Sequence, residues 1–436
     1  MSSEATADKE PADPATAGQL GVRDTWRQTP RPARALLAGV FVNRLAGFLQ
    51  IFLVLFLTDR GYSAGQAGLA LGLYGAGSVV GTFAGGWLND RLSARTVTLI
   101  SMMGSAVLLA SILYAGYYPL LLLVVLAVGV VAQLYRPAAQ AMITDLTPTE
   151  RLIMVTAMYR LCLNLGTTAA PLLGVALASV SYDLLFWGEA LAALTYGLIA
   201  LVALPRAPRV APVTPAAAAA GQPAEPVAQP PVRAGYLALL NDWRYLVFLV
   251  AFLLLCVVYS QYTAALPLAI VDSGLSTWWY GAVVTINAFI VVTCEVLATR
   301  WVQTWPLRLT QLSGFALLAL GYGIYAIDIA PLFLILGTLV WTLSEIVGAP
   351  TVYAYPGLIA PAHLRGRYFG AMQSMFGLGS TLGPILGIAL YAQVGQQMFM
   401  WTALVAVLAT VIGRVGMRGP QRRDPAPEPA ASQPSG

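Results

Sequence analysis

Past residue 32 the chain is built from long apolar runs separated by short polar interruptions. The runs lie at about Ala33–Thr58, Gln66–Leu88, Thr96–Tyr117, Pro119–Ile143, Leu152–Ser179 and Leu184–Leu204, then Tyr245–Val271, Trp278–Val302, Leu309–Ile327, Pro331–Ala360, Tyr368–Val394 and Met398–Val415. A helix needs roughly 20 apolar residues to cross the hydrocarbon of a bilayer, and these runs are of that order. Inside lipid every backbone N–H and C=O must be satisfied within the protein, so segments of this kind predict helices. The expected fold is all-α and integral to the membrane, with twelve transmembrane helices in two six-helix halves.

The interruptions set the domain plan. Residues 1–32 read as a polar N-terminal tail whose end, around Arg23, Trp26 and Arg27, suits a membrane surface. Residues 33–204 form the N-terminal half, and 205–234 a Pro- and Ala-rich linker with no amphipathic period. Residues 235–415 form the C-terminal half, and 416–436 a polar tail. Of the 24 Lys and Arg residues, Arg60 is the only one in a loop at the end away from the termini. Arg44, Arg136 and Arg160 lie within helices, and all the others fall at the end carrying the tails and linker. That asymmetry predicts cytoplasmic termini in a multi-pass cell-membrane protein.

With 58% hydrophobic and 10% charged residues the composition excludes an ordinary soluble domain. Cys162, Cys256 and Cys294 all fall in apolar runs, and His363 is the sole histidine, so no disulfide framework and no metal site are expected. The net charge of +5 reflects membrane orientation rather than nucleic-acid affinity. No nucleophile–base set or phosphate loop is present, and an enzyme is not expected.

The two halves echo each other. Gly166-Thr-Thr-Ala-Ala170-Pro171-Leu-Leu-Gly174 matches Gly379-Ser-Thr-Leu-Gly383-Pro384-Ile-Leu-Gly387, with the prolines 213 residues apart. The same spacing relates Pro137 to Pro350, Pro148 to Pro361 and Arg95 to Arg308. Two parallel repeats of six helices predict a binding site near the membrane midplane, between the halves.

Between the second and third runs stands Gly85-Gly86-Trp87-Leu88-Asn89-Asp90-Arg91-Leu92-Ser93-Ala94-Arg95. Its Gly-x-Leu-x-Asp-Arg pattern with a late arginine resembles the corresponding loop of the major facilitator superfamily. Ser93 stands where that family has glycine, and Ala94 replaces the first cation of the closing pair. The Gly166–Gly174 segment is similar to the fifth-helix motif of the twelve-helix drug–proton antiporters, with Ala170 in place of a glycine. The resemblance covers roughly Ala33 to Val415. It implies that Gly86, Asp90, Arg91, Arg95 and Asp145 form a conformational latch, in which Asp90 meets the helix start near Gly366-Arg367 and Asp145 pairs with Arg91 or Arg95. It also implies that Gly166, Pro171, Gly174, Gly379, Gly383, Pro384 and Gly387 seal or hinge the cavity.

A charged side chain at membrane depth costs at least about 2.5–3.5 kcal/mol and so calls for a reason. The deep ionisable residues are Arg44, Arg136, Arg160 and Glu189 in the N-terminal half, with Glu295 and Glu345 in the C-terminal half. Glu345 and Glu295 are the candidates for proton coupling, with Arg44 the expected partner of Glu345. The candidate substrate residues are Asn43, Arg44, Gln50, Arg160, Asn164, Tyr259, Tyr262, Trp341 and Tyr353, the last four as an aromatic pocket. Structural pairing is an equal reading for Arg44, Arg160 reads as a counter-ion or, in preference, a brace for the fourth helix, and Arg136 and Glu189 read as structural. The expected function is proton-driven export of small amphipathic molecules by alternating access, with a symporter or facilitator for a polar metabolite as the alternative. The expected partners are a small-molecule substrate, protons and the lipid bilayer, with no nucleic acid. The chain is expected to act as a monomer with no cofactor beyond the proton gradient.

Overall fold

The computed structural model describes residues 21–206 and 236–417, so most of the expected tails and linker lies outside the described residues. Each of the twelve apolar runs is predominantly helical among the described residues. Among the described residues, eleven continuous stretches are long and apolar enough to cross a membrane, and the last of these, Ala362–Gly416, holds two helices parted at Gly395. Gly395 takes φ 55°, a conformation that glycine adopts without a Cβ penalty.

In chain order the helices are α1 (Val22–Gln28), α2 (Arg31–Leu45), α3 (Leu49–Asp59), α4 (Ala64–Arg91), α5 (Ala94–Ile112), α6 (Tyr118–Gln133), α7 (Tyr135–Leu146), α8 (Leu152–Ala178) and α9 (Asp183–Ala203). The second half contains α10 (Tyr236–Leu240), α11 (Trp243–Tyr259), α12 (Gln261–Asp272), α13 (Trp278–Val302), α14 (Leu307–Ile327), α15 (Pro331–Ile359), α16 (Arg365–Val394) and α17 (Met398–Gly416). The 213-residue register reaches the element boundaries: α8 and α16 start at equivalent residues, each after a 3₁₀ turn, Thr149–Arg151 and Ala362–Leu364. The first run breaks into α2 and α3, and its repeat partner breaks at the equivalent place into α11 and α12. The short α1, expected to belong to the tail, is a helix against α8 and α13, with Thr25 fully buried and Trp26 under Arg34.

Local chemistry explains several boundaries. Ser63 and Gln66 form a reciprocal capping box at the start of α4. Ser93, at the position of the family's glycine, accepts a hydrogen bond from the Thr96 N–H and caps α5. Where the first run breaks, the Glu189 carboxylate accepts the Leu49 N–H at 2.6 Å and satisfies the exposed start of α3.

The repeated glycines pack helices within each half. A Cβ at Gly166 would meet Arg44 and Leu45, and one at Gly174 would meet Phe52 and Phe48, so α8 lies directly on the broken first run. In the other half Gly379, Gly383 and Gly387 meet Cys256, Ser260 and Gln261, which lays α16 on α11 and α12. Pro171 and Pro384 are carried inside unbroken helices. The five glycines therefore pack helices within each half, rather than meeting across the interface between halves.

The halves are closed at the end carrying the termini. Met154–Arg160 of α8 and Gly366–Ser374 of α16 are buried on every face, whereas both helices beyond those segments carry exposed positions. Gly86 sets the approach, because a Cβ there would strike the backbone of Gly366 and Gly370. At the opposite end of α4, Gly68, Gly72 and Gly75 have open space where a Cβ would stand.

Candidate transport site

Three of the six deep ionisable residues converge across the interface. The Arg160 guanidinium on α8 donates from Nε to Glu295 Oε1 on α13 at 2.6 Å, and from Nη2 to Glu295 Oε2 at 3.4 Å. Its Nη2 also lies 3.5 Å from Glu345 Oε1 on α15. Asn164, one turn along α8, donates to Glu295 Oε2 at 3.4 Å. Glu345 accepts from the Tyr259 hydroxyl at 3.1 Å and from Asn287 at 2.9 Å. Tyr353 completes the group, its ring centroid 4.9 Å from the guanidinium. Glu295 is fully buried, while the Glu345 side chain keeps 13% of its surface accessible.

This arrangement corrects several pairings. The partner of Glu345 is Arg160, not Arg44, and Arg160 joins the two halves instead of bracing the fourth helix. Asn287 donates to both Glu345 and Thr342. The aromatic pocket divides. Tyr259, Tyr262 and Trp341 pack together with centroids 5.1–5.9 Å apart. Trp341 is buried and donates to the Tyr325 hydroxyl at 2.9 Å, so it packs and does not line a cavity. Tyr353 belongs instead to Arg160, with Phe252 against its ring.

The first-run residues also separate. Asn43 turns its amide to Met102 Sδ on α5 at 3.7 Å, inside the N-terminal half. Gln50 is exposed. Arg44, in the last turn of α2, sits with Arg136, Tyr74, Tyr135 and Tyr159 within electrostatic reach of one another.

At the termini end Asp90 accepts the backbone N–H groups of Gly366 at 3.0 Å and Arg367 at 3.2 Å, and its Oδ2 lies 3.5 Å from Arg367 Nε. A carboxylate at the first turn of α16 meets both the unsatisfied N–H groups and the positive end of the helix dipole. Asp145 pairs across the interface with Arg365, not with Arg91 or Arg95. Arg91 stacks on Trp87 with 4.0 Å to the ring centroid. Arg95 donates to the Ala200 and Leu201 carbonyls, neutralising the C-terminal end of α9 within its own half.

Sequence reasoning missed two contacts on this face. Thr82 and Ser374 hydroxyls meet at 2.7 Å, and Gln373 donates to Gln140 at 2.9 Å. Their signal lay in the repeat: 213 residues on, Thr82 becomes Glu295 and Gln140 becomes Tyr353, and Gln373 is the counterpart of Arg160.

Twelve membrane-length helices in two repeated halves, with a charge cluster buried where the halves meet, define the class of multi-pass membrane carriers. The Major Facilitator Superfamily model matches residues 36–384, with a second match over 280–436. The chain belongs to that family of transporters, and it is not an enzyme. An uncharacterized transporter of this type from Bacillus subtilis, YqjV, is 22% identical over 83% of this chain and 87% of its own length. A Na(+), Li(+), K(+)/H(+) antiporter of Planococcus maritimus is 24% identical, covering 85% and 91%. Among solved structures, the human organic anion transporter MFSD10 shares the fold, with TM-score 0.67 and 19% identity over 88% of this chain and all of that one.

Proposed function

We propose that the protein is a proton-coupled antiporter that exports small amphipathic molecules by alternating access, its termini in the cytoplasm. One observation carries this reading: a single guanidinium shared by two carboxylates across the interface between halves. With both carboxylates ionised the trio holds one negative charge in excess, and an uncompensated buried charge is strongly unfavourable. A proton on Glu345, the more accessible of the two, removes that excess. Parting the halves at the termini end pulls Arg160 from its partners, which favours protonated carboxylates in the inward-open state. Release of those protons to the cytoplasm then resets the site. Asp90, seated on the start of α16, acts as the latch of the outward-facing state, and its release accompanies the rocking of the halves. The positive-inside distribution of Lys and Arg supports the orientation. The Planococcus relative, named as an antiporter of monovalent cations and protons, supports exchange against protons.

The test is transport in proteoliposomes under an imposed pH gradient, with cationic, neutral and anionic amphipathic dyes and internal pH followed together. Outward dye movement is expected to be matched by inward proton movement, and Glu345→Gln is expected to abolish the proton signal. If dye flux moves no protons in either direction, or Glu345→Gln couples like the native protein, the proposal fails. Co-directional dye and proton flux would instead establish the symporter.

A further inference from the structure

The Arg160 trio uses one of the three deep arginines of the N-terminal half; the other two lie within electrostatic reach of one another, with Glu189 as the carboxylate that acts on Arg44. Arg44 lies in the last turn of α2, just before the first run breaks, and Arg136 in the first turn of α7, just after α6 ends. Neither forms an ion pair among the described residues, and the Nε atom of each is buried with no hydrogen-bond partner. The Tyr135 hydroxyl approaches Arg44 yet is buried without a well-formed hydrogen bond, and the Gln133 side-chain carbonyl is likewise unmatched. The nearest carboxylate to this group is Glu189, and its Oε2 is taken by the Leu49 N–H. Both arginines remain partly accessible.

Two like charges at membrane depth repel each other and each requires compensation. The tyrosine hydroxyls of Tyr74, Tyr135 and Tyr159 supply dipoles, not charge. The register shows that this is not a requirement of the fold: the counterparts of Arg44 and Arg136 in the other half are Val257 and Ala349.

We infer that Arg44 and Arg136 bind the anionic group of the substrate, a carboxylate or sulfonate carried on an apolar body. Planar guanidinium groups are suited to bidentate contact with such oxyanions. The substrate would then neutralise the N-terminal half as the proton neutralises the Glu295–Glu345 trio, so the two sites answer different ligands across one interface. This inference names the substrate class of the antiporter reading and rests on it.

The probe is radiolabelled naphthalene-2-sulfonate, bound to the full-length protein in lipid nanodiscs with empty nanodiscs subtracted. The matched cation is (2-naphthylmethyl)trimethylammonium. Saturable sulfonate binding is expected, weakened about ten- to a hundredfold by Arg44→Gln or Arg136→Gln, the range for a hydrogen bond to a charged group. Arg136→Lys is expected to retain part of it. Should one glutamine variant fail to elute as a folded species, the other and Tyr135→Phe carry the test. Absence of saturable sulfonate binding overturns the inference. So does binding that survives both glutamine variants, or an equal loss of the cation probe in those variants. Sulfonate binding that persists while proton coupling is absent in liposomes refutes the antiporter reading and leaves this site standing.

Discussion

The halves meet along two seams that the internal repeat makes equivalent, and the seams are built from different chemistry. Along one, α4 and α7 lie on α16 through Thr82–Ser374, Gln140–Gln373, Asp90 on the Gly366 and Arg367 N–H groups, and Asp145–Arg365. Along the other, α8 lies on α13 and α15. There the equivalents of Thr82, Gln140 and Gln373 are Glu295, Tyr353 and Arg160, so neutral hydrogen bonds give way to a charged cluster. Nearer the termini the relation reverses. The equivalents of Asp145 and Arg365 are Leu358 and Leu152, which pack into a hydrophobic cluster with Val296 and Ala354. One seam is thus hydrogen-bonded at mid-depth and charged near the termini, whereas the other is charged at mid-depth and apolar near the termini. A neutral hydrogen-bonded contact opens and closes with little dependence on protons, whereas a buried trio with unequal charge does not. The same scaffold can therefore assign closure to one seam and coupling to the other.

The largest expected effect follows from removing Glu295. In Glu295→Leu the guanidinium of Arg160 loses its closest partner, and breaking a buried pair on one side costs about 3–5 kcal/mol. Thermal unfolding in detergent should show a marked drop in midpoint, and the double variant Arg160→Met with Glu295→Leu should recover most of it. If the single variant is as stable as the native protein, the charged seam is not a structural element.

A smaller effect is expected from Asp90→Asn, which leaves the shape of the latch but removes its charge. Hydrogen bonds to a charged group contribute about 1.5–3 kcal/mol, enough to shift the closed population by an order of magnitude or more. Spin labels at Leu92 and His363, both exposed, should report a longer-distance population at the termini end. An unchanged distance distribution would remove Asp90 from the latch.

The smallest effect tests the equivalence directly. Asp145→Leu with Arg365→Leu installs on the polar seam a copy of the Leu152–Leu358 contact. The Asp145–Arg365 pair is partly exposed, and such pairs contribute about 0.2–1 kcal/mol and are screened by salt. The double variant should weaken the closed termini end slightly at low salt and match the native protein at high salt, read by the same labels. A closed population unchanged at low salt would mean that the pair does not contribute to closure.

Much of the scaffold could be read from particular residues before any coordinates. The apolar runs predicted twelve helices because lipid leaves the backbone no other economical partner than its own segment. Pro171 and Pro384 gave the repeat, since local features of two related halves recur at one spacing. The Gly86–Arg95 loop named the family because its glycine permits a backbone approach that no other residue allows, here onto Gly366 and Gly370.

What tertiary structure alone decided is which deep charge meets which. Arg44, Arg136 and Arg160 are alike in sequence: each is an arginine in an apolar helix. Helix rotation and the crossing of α8 over α13 and α15 place only Arg160 against carboxylates. The other two stay on the N-terminal side, beside tyrosines. Likewise Asp145 takes Arg365 from the far half in preference to Arg91 and Arg95 nearby in the chain, because Arg91 is engaged by Trp87 and Arg95 by the end of α9. Hydrophobic length is a property of a segment and survives in the sequence. Ion pairing depends on the angular facing of side chains from separate helices, and that is settled only when the helices pack.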